Sequence, residues 1–154
     1  MAAEIHRDHP QGVHLIAVLK GAFMFLADLV RAIPGHCSLD FIAVSSYGDA
    51  AVSSGQVQLL KDLDSTLEER DVIIVEDIVD TGLTLDYLQR ILRARAPRRL
   101  RTACLLSKPA RRMVEVAVDY VGFEIEDRFV VGYGLDFRGQ YRNLPYVAVL
   151  DDSS

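Results

Sequence analysis

The stretch Val72-Ile73-Ile74-Val75-Glu76-Asp77-Ile78-Val79-Asp80-Thr81-Gly82-Leu83-Thr84 constrains this chain more than any other. Four consecutive β-branched apolar residues favour a short buried strand over a helix. Two adjacent carboxylates follow at the strand's end, then a short Asp-Thr-Gly turn. The next run has helical periodicity, with Leu85, Leu88 and Leu92 on one face and Arg90 and Arg93 turned away. A strand that delivers acids and backbone amides to a helix N-terminus suits a phosphorylated sugar. The amides and the helix dipole attract phosphate, and the carboxylates accept hydrogen bonds from hydroxyls. Spacing alone leaves plainer readings open: Asp80 or Thr81 merely caps the helix, and Glu76 and Asp77 are solvated acids.

The flanking sequence supplies the rest of an α/β pattern. Val13 to Leu19 reads as a strand ended by Gly21, and Ala22 to Ile33 as a helix stopped by Pro34-Gly35. Leu39 to Ser45 reads as a second strand, Tyr47 to Gly55 as a loop of small residues, and Gln56 to Leu60 as a short strand leaving it. The charged run Asp62 to Asp71 reads as a solvated connection. Beyond Pro97, strands are expected at Leu100 to Leu106, Tyr120 to Phe123 and Tyr146 to Leu150. This order predicts a twisted, mostly parallel sheet flanked by helices. Ligands bind such sheets at the carboxyl ends of the strands, where Lys20-Gly21, Ser45 to Gly48 and Glu76 to Thr84 would converge.

Composition narrows the options further. A chain of 154 residues, half of them apolar and a quarter charged, fits one well-buried soluble domain. The net charge of -5 gives no electrostatic reason to expect nucleic acid as the main partner. The arginines at 90, 93, 95, 98, 99 and 101 read as an exposed helix face and its turn, and Arg111 and Arg112 as solvated. No apolar stretch approaches the roughly 20 residues that span a bilayer. The N-terminus has no apolar core of a signal peptide. Cys37 and Cys104 are far apart in apolar surroundings and read as reduced core thiols of a cytoplasmic protein. His6 and His9 share a helical face but have no evident third ligand for a metal.

The motif at 72–84 resembles the binding signature of the type I phosphoribosyltransferases for 5-phosphoribosyl 1-pyrophosphate. The resemblance runs through most of the chain and is nearest to the members that act on hypoxanthine and guanine. Leu19-Lys20-Gly21-Ala22 resembles the family's pyrophosphate loop, and Ser45-Ser46-Tyr47-Gly48 the start of its mobile catalytic loop. Lys108-Pro109 resembles the purine-reading segment. Val121-Gly122-Phe123 and Phe129 to Asp136 resemble the purine pocket, and Tyr141 to Tyr146 the closing pyrophosphate-contact segment.

The resemblance implies a single phosphoribosyltransferase domain over 1–154, with a core at about 12–126 and purine-pocket and hood elements at about 108–150. It implies that Asp80, Thr81, Gly82, Leu83 and Thr84 bind the sugar's 5-phosphate, and that Glu76 and Asp77 receive the ribose hydroxyls directly or through magnesium. Asp80 is the implied general base at N7 of the purine. Lys20, Gly21 and Arg142 are implied to contact pyrophosphate, and Ser46 and Tyr47 to begin a closing loop. Lys108 is implied to donate to the purine 6-oxygen, Phe129 to stack on the base, and the Val130 backbone to read the ring edge. Without the resemblance, Phe129 reads first as a plain core aromatic. Asp136 is implied beside the purine and, with Glu76 and Asp77, as a ligand of Mg2+. In the family, the bond corresponding to Leu19-Lys20 is often cis.

The family usually begins with a longer segment, of which Ala2 to His9 resembles the tail. A reduced hood and altered assembly are the corresponding expectations. The implied substrates are a 6-oxopurine and 5-phosphoribosyl 1-pyrophosphate, and the implied assembly is a homodimer or homotetramer, with no membrane or nucleic-acid partner. Two alternatives stand beside this reading: an RNA-binding regulatory protein on the same fold, and a transferase for xanthine or a pyrimidine base.

Overall fold

A computed structural model describes residues 1–46 and 57–151. The expected loop from Tyr47 to Gly55, including Tyr47 of the closing segment, lies outside the described residues. The described residues form twelve short elements. They begin with α1 (Ala2–Asp8), β1 (Val13–Leu19), α2 (Phe23–Ala32), β2 (Cys37–Ser46) and β3 (Val57–Lys61). There follow β4 (Asp71–Val79), α3 (Leu83–Arg93), β5 (Arg99–Ser107), a 3-10 turn (Pro109–Arg111), β6 (Tyr120–Glu124), β7 (Val130–Val131) and β8 (Ala148–Val149).

The main sheet has the order β3-β2-β1-β4-β5-β6. Only β2 and β3 run antiparallel; the other neighbours are parallel. This is the expected mostly parallel, twisted α/β sheet. The chain moves from β1 outward to β2 and β3, then returns to place β4 on the other side of β1. The reversal opens a crevice between the carboxyl ends of β1 and β4, where open α/β sheets take ligands.

The core lies on both faces of the sheet because the central strands have period two. Leu15, Ala17, Ile73 and Val75 join Ile5, Phe25, Leu26 and Leu29 on the side covered by α1 and α2. Ile16, Val18, Val72 and Ile74 join Leu85, Leu88 and Leu92 on the α3 side. A central strand covered twice must be apolar at every position, which is why Val72 to Val75 has no alternation.

Several expectations need correction. β4 does not stop at Val75. Ile78 and Val79 continue the ladder opposite Leu106 and Ser107 of β5, so Glu76 and Asp77 lie inside the strand rather than after it. Of the strand expected at Tyr146 to Leu150, only Ala148–Val149 forms, paired to a β7 that has no signature long enough to read. The N-terminal segment forms a seven-residue helix that buries Ile5.

Nor is the segment from Asp62 to Asp71 a solvated connection. Leu67 is buried, and the segment is tied down by the buried carboxylate of Asp40. Asp40 accepts from the Ser65 hydroxyl at 2.7 Å, from the Asp64 and Ser65 N–H groups at 2.9 and 3.0 Å, and from the Phe41 N–H at 2.8 Å. Asp71, also buried, accepts from Arg98 at 2.8 Å and contacts the His9 ring at 2.8 Å. Charged composition misleads here because a carboxylate with enough donors is stable inside a fold.

Asp40→Ala is expected to destabilise the protein by about 1–3 kcal/mol, since it leaves several donors unpaired; a lower urea midpoint at unchanged slope reads this out. Burial pushes the Asp40 carboxyl up, but the Ser65 hydroxyl and the backbone N–H groups outweigh it and leave it below its ordinary 3.8. Its stabilisation is therefore present above that value and lost as the pH falls through the lower folded value. The gap between wild type and variant should close in acid, below pH 3.8.

Candidate functional site

Three segments meet at the carboxyl edge of the sheet. The first is the turn from β4 into α3. α3 has no side-chain cap, and its N-cap is Gly82 with φ 87°. A Cβ at Gly82 would approach Val116 at 3.2 Å and the Val114 carbonyl at 3.3 Å, so both conformation and space require glycine. Thr81 Oγ1 reaches the Leu83 N–H only at 3.4 Å. The capping reading of this turn is thus not what the side chains do, and the first-turn amides are left for an anion. Glu76, Val79, Asp80, Thr81, Gly82 and Thr84 line a small cavity of about 90 Å³ at this point.

Behind the turn lie the two acids. Glu76 is 6% exposed. Burial pushes its carboxyl well above the usual range, and the charge of Asp77 adds to the push. Burial raises Asp77 as well, against the opposing hydrogen bond from the Ile78 N–H and the attraction of Arg142. Cys104, beneath Glu76, has its thiol pushed up to about 12 by burial and then by the Glu76 charge. It is an inert core thiol, and Cys37 is likewise free.

The second segment is the turn after β1. The Leu19-Lys20 peptide is cis. Gly21 lies against the Asp77 carboxylate on one side and has its carbonyl against Gly134 on the other; a Cβ on either glycine would overlap its neighbour. Gly134 belongs to the third segment. Its N–H donates to the Arg142 carbonyl at 3.0 Å, and Arg142 Nη1 donates back to the Gly134 carbonyl at 2.6 Å. Arg142 Nη2 is 3.3 Å from Asp136 Oδ1, and Asp136 Oδ2 accepts from the Gly139 N–H at 2.7 Å. Lys20, Gly21, Asp77, Asp136 and Arg142, distant in sequence, are thereby brought to one place.

The purine-pocket candidates lie alongside. Lys108 follows β5, with its N–H bonded to the Val79 carbonyl at 2.9 Å. Its side chain is buried, and its nearest carboxylate, Asp127, is 3.9 Å away, too far for a hydrogen bond. Phe129 is 51% exposed and takes the Phe137 ring edge-on at 5.6 Å. It is not a core aromatic. The Leu150 N–H donates to the Phe129 carbonyl, which makes Val130 and Val149 a non-hydrogen-bonded antiparallel pair. The Val130 N–H and carbonyl therefore point away from β8. Ser46 ends β2 at the same edge of the sheet.

Sequence reasoning missed Arg111, Arg112 and Asp127 as site residues; the expectation of a solvated Arg112 is wrong, whereas Arg111 is exposed as expected but is also paired with acids. The 3-10 turn folds back over the end of β4. Arg112 donates through Nη1 to the carbonyls of Val79 and Asp80, both at 2.8 Å, and through Nη2 to Ser107 Oγ at 2.8 Å. Arg111 donates to Asp80 Oδ1 at 3.0 Å. Val79 and Asp80 lie 31 to 33 positions before them in sequence, so no local pattern announces these contacts. The arginines of the 90–101 cluster pair instead with acids: Arg90 with Asp86, Arg95 with Asp62, Arg98 with Asp71 and Arg101 with Asp8.

The chain matches the family model of the phosphoribosyl transferase domain over residues 1–138. It is 52% identical over 135 residues to a hypoxanthine-guanine phosphoribosyltransferase of Bacillus subtilis, covering 88% of this chain and 75% of that one. To the enzyme of the same name from Mycobacterium avium it is 55% identical over 141 residues, 92% of this chain and 70% of the relative. Among solved structures, a hypoxanthine-guanine phosphoribosyltransferase from Bacillus anthracis superposes with a TM-score of 0.93 at 46% identity, covering 97% of this chain and 89% of that one.

Gly134→Ala tests the contact at the centre of this arrangement. Gly134 and Gly139 both have positive φ, 98° and 79°, but only Gly134 has backbone in the space of a Cβ. Gly139→Ala should cost about 1 kcal/mol from its left-handed conformation alone. Gly134→Ala should cost at least about 1–3 kcal/mol more, because the Gly21 carbonyl must move. Thermal unfolding of the two variants side by side measures the difference.

Proposed function

The chain belongs to the phosphoribosyltransferase family, and from that premise we propose that it carries out purine salvage, joining hypoxanthine or guanine to 5-phosphoribosyl 1-pyrophosphate. The products are the purine nucleotide and pyrophosphate. The observation that carries the choice of base is Lys108. It is a buried ammonium with no carboxylate in hydrogen-bonding range, beside a half-exposed phenylalanine. A 6-oxopurine supplies the missing acceptor, whereas adenine offers an amine donor there and leaves the lysine unpaired.

In the proposed reaction, purine N9 forms a bond to the anomeric carbon as the bond from that carbon to the pyrophosphate oxygen breaks. The electron pair of the broken bond leaves with pyrophosphate, and the N7 proton passes to Asp80. The amides and hydroxyls of Asp80 to Thr84 hold the 5-phosphate. Glu76 and Asp77 receive the ribose hydroxyls, and Lys20, Gly21 and Arg142 take the pyrophosphate. Phe129 stacks on the base while the Val130 backbone and Asp136 meet its edge. Holding two reactants in line supplies most of the acceleration, and proton removal adds to it.

The donor set fits Mg2+ that enters with the substrate. Among the described residues, no three His, Cys, Asp or Glu side chains cluster as a metal cage. Mg2+ is ordinarily held by one or two carboxylates together with substrate phosphates and water. Burial raises both Glu76 and Asp77, so a cation beside them relieves a real electrostatic cost. Glu76 and Asp77 would hold one ion and Asp136 would contact a second or its waters, and these would neutralise charge developing on pyrophosphate.

Two free cysteines in an otherwise unbridged chain support a reducing, cytoplasmic setting. No described helix is long and apolar enough to cross a membrane. Exposed Val121 and Phe123 on the edge strand β6 support assembly into a homodimer or homotetramer.

A panel of hypoxanthine, guanine, xanthine, adenine and uracil, assayed with the pyrophosphorylated sugar and Mg2+, tests the function. Hypoxanthine and guanine should react, with adenine slower by about 10⁴-fold or more. Activity confined to xanthine or uracil would sink the proposal. Asp80→Asn should lower kcat by roughly 10- to 100-fold with little change in the KM of the sugar substrate. Unchanged steady-state turnover would remove Asp80 from its role.

A further inference from the structure

Asp80 does not stand alone in the free site. Arg111 Nε donates to its Oδ1 at 3.0 Å, and Arg111 Nη1 lies 3.6 Å from Asp127 Oδ2. The other oxygen of Asp127, Oδ1, is 3.9 Å from Lys108 Nζ. Asp80, Arg111, Asp127 and Lys108 thus form a chain of alternating charge. It runs from the proposed base to the proposed reader of the 6-oxygen, the two groups that must meet one edge of the purine, where N7 and the 6-oxygen lie side by side.

We propose that Arg111 is a positioning residue of the transfer reaction: it orients the Asp80 carboxylate for the purine N7 and, through Asp127, sets the place of Lys108. This deepens the function proposed above and rests on the reading of Asp80 as the base.

Three features support the assignment. First, Asp80 lies half-buried on a turn, and a carboxylate with that much access to solvent has several rotamers of similar energy. An arginine nitrogen on Oδ1 selects one and leaves Oδ2 open to accept the N7 proton. Geometry of this kind is what a general base requires before its basicity counts. Second, Arg112 fixes the backbone beneath the same group, donating to the carbonyls of both Val79 and Asp80 and, at 3.3 Å, to that of Lys108. The side-chain chain from Arg111 is therefore anchored at both ends by a neighbouring clamp, and small shifts at one end reach the other. Third, Asp127 binds neither cation tightly. At 3.6 and 3.9 Å it holds both by attraction without satisfying either, which leaves Lys108 a donor to give.

The arrangement also gives the reaction a consistent charge balance. When Asp80 accepts the N7 proton it becomes neutral, and its hold on Arg111 weakens. Arg111 is then free to pair more closely with Asp127, which draws that carboxylate from Lys108. The lysine is left to the 6-oxygen of the new nucleotide while the proton remains on Asp80. No other reactant is needed.

The test is a double-mutant cycle on the intact protein with hypoxanthine as the base, using Arg111→Ala, Arg111→Lys, Asp80→Asn and the Asp80→Asn/Arg111→Ala pair. Arg111→Ala should lower kcat about tenfold while the KM of the sugar substrate stays within about twofold. Arg111→Lys, which keeps the charge and one donor, should recover most of that loss. In the Asp80→Asn background, Arg111→Ala should cost less than about twofold in kcat, because the carboxylate it orients no longer takes the proton; its effect on Lys108 through Asp127 remains and reads out as a raised KM for hypoxanthine. Equal losses in both backgrounds would make Arg111 a structural residue and overturn the proposal, as would an unchanged or raised kcat in Arg111→Ala. Should Arg111→Ala unfold, the Lys variant and an Arg111→Gln variant complete the same cycle. Failure of the wild type to use any 6-oxopurine would instead overturn the underlying function, so the two failures are distinguishable.

Discussion

The parallel pairing of β1 with β4 is the constraint on which the rest of the molecule depends. Their register, from His14 opposite Val72 to Ala17 opposite Val75, aligns two strands that are separated in sequence by a helix and two other strands. Both strands are apolar on both faces, so each buries side chains against α1 and α2 on one side and α3 on the other. Each fully buried Ile, Leu or Val contributes about 1.5–3 kcal/mol. A one-residue slip would exchange the two sets of side chains between unlike faces, so the register is strongly specified. Once it is fixed, the ends of β1 and β4 lie side by side, and Gly21 must lie against Asp77.

The same pairing explains why two acids can occupy the interior of a sheet. Glu76 continues the alternation of Val72 and Ile74, a position that in a purely structural strand would be another aliphatic residue. Burial raises its carboxyl strongly, and Asp77 beside it raises it further. Desolvated like charges are costly unless one is protonated or a cation approaches. The fold accepts this cost only beside the turn at Gly82 and the arginine at 142. Such a local departure from good packing marks the place where a ligand completes the structure. The proposed sugar substrate supplies hydroxyls to accept from and a cation to share.

Much of this was legible in the sequence. β1 has the expected bounds, and the core face of α3 is the expected Leu85, Leu88 and Leu92, because period-two and period-3.6 patterns are local properties. The convergence of Lys20, Asp77, Asp136 and Arg142 came from resemblance and from the rule for strand ends, and the geometry brings those residues together. What escaped was tertiary. Asp40 and Asp71 look like surface acids until their donors arrive from the segments at 62–66 and 98. Arg111 and Arg112 look like surface cations until the chain folds back over the end of β4. α1 and β7 are too short for any periodic signal. Composition reports how polar a residue is, and only the fold reports whether its partners are water or protein.

The two halves of the proposed site rest on unequal supports. The phosphate turn is the end of a central strand paired on both sides, whereas the purine edge rests on β7 and β8, two residues each. That smaller unit is held to the core by a few contacts: Gly134 on Gly21, Arg142 attracted to Asp77, the Tyr133 hydroxyl on Asp28, and Tyr133 packed against the α2 side of the core. Local opening costs less where fewer buried contacts are broken. This division suits the proposed two-substrate site, in which the charged sugar meets a turn held by the central sheet and the flat, weakly polar base meets an edge held by fewer ties. Arg111 and Arg112 lie at the boundary between the two: they extend from the segment after β5 to Val79 and Asp80 and, through Asp127, toward the purine edge.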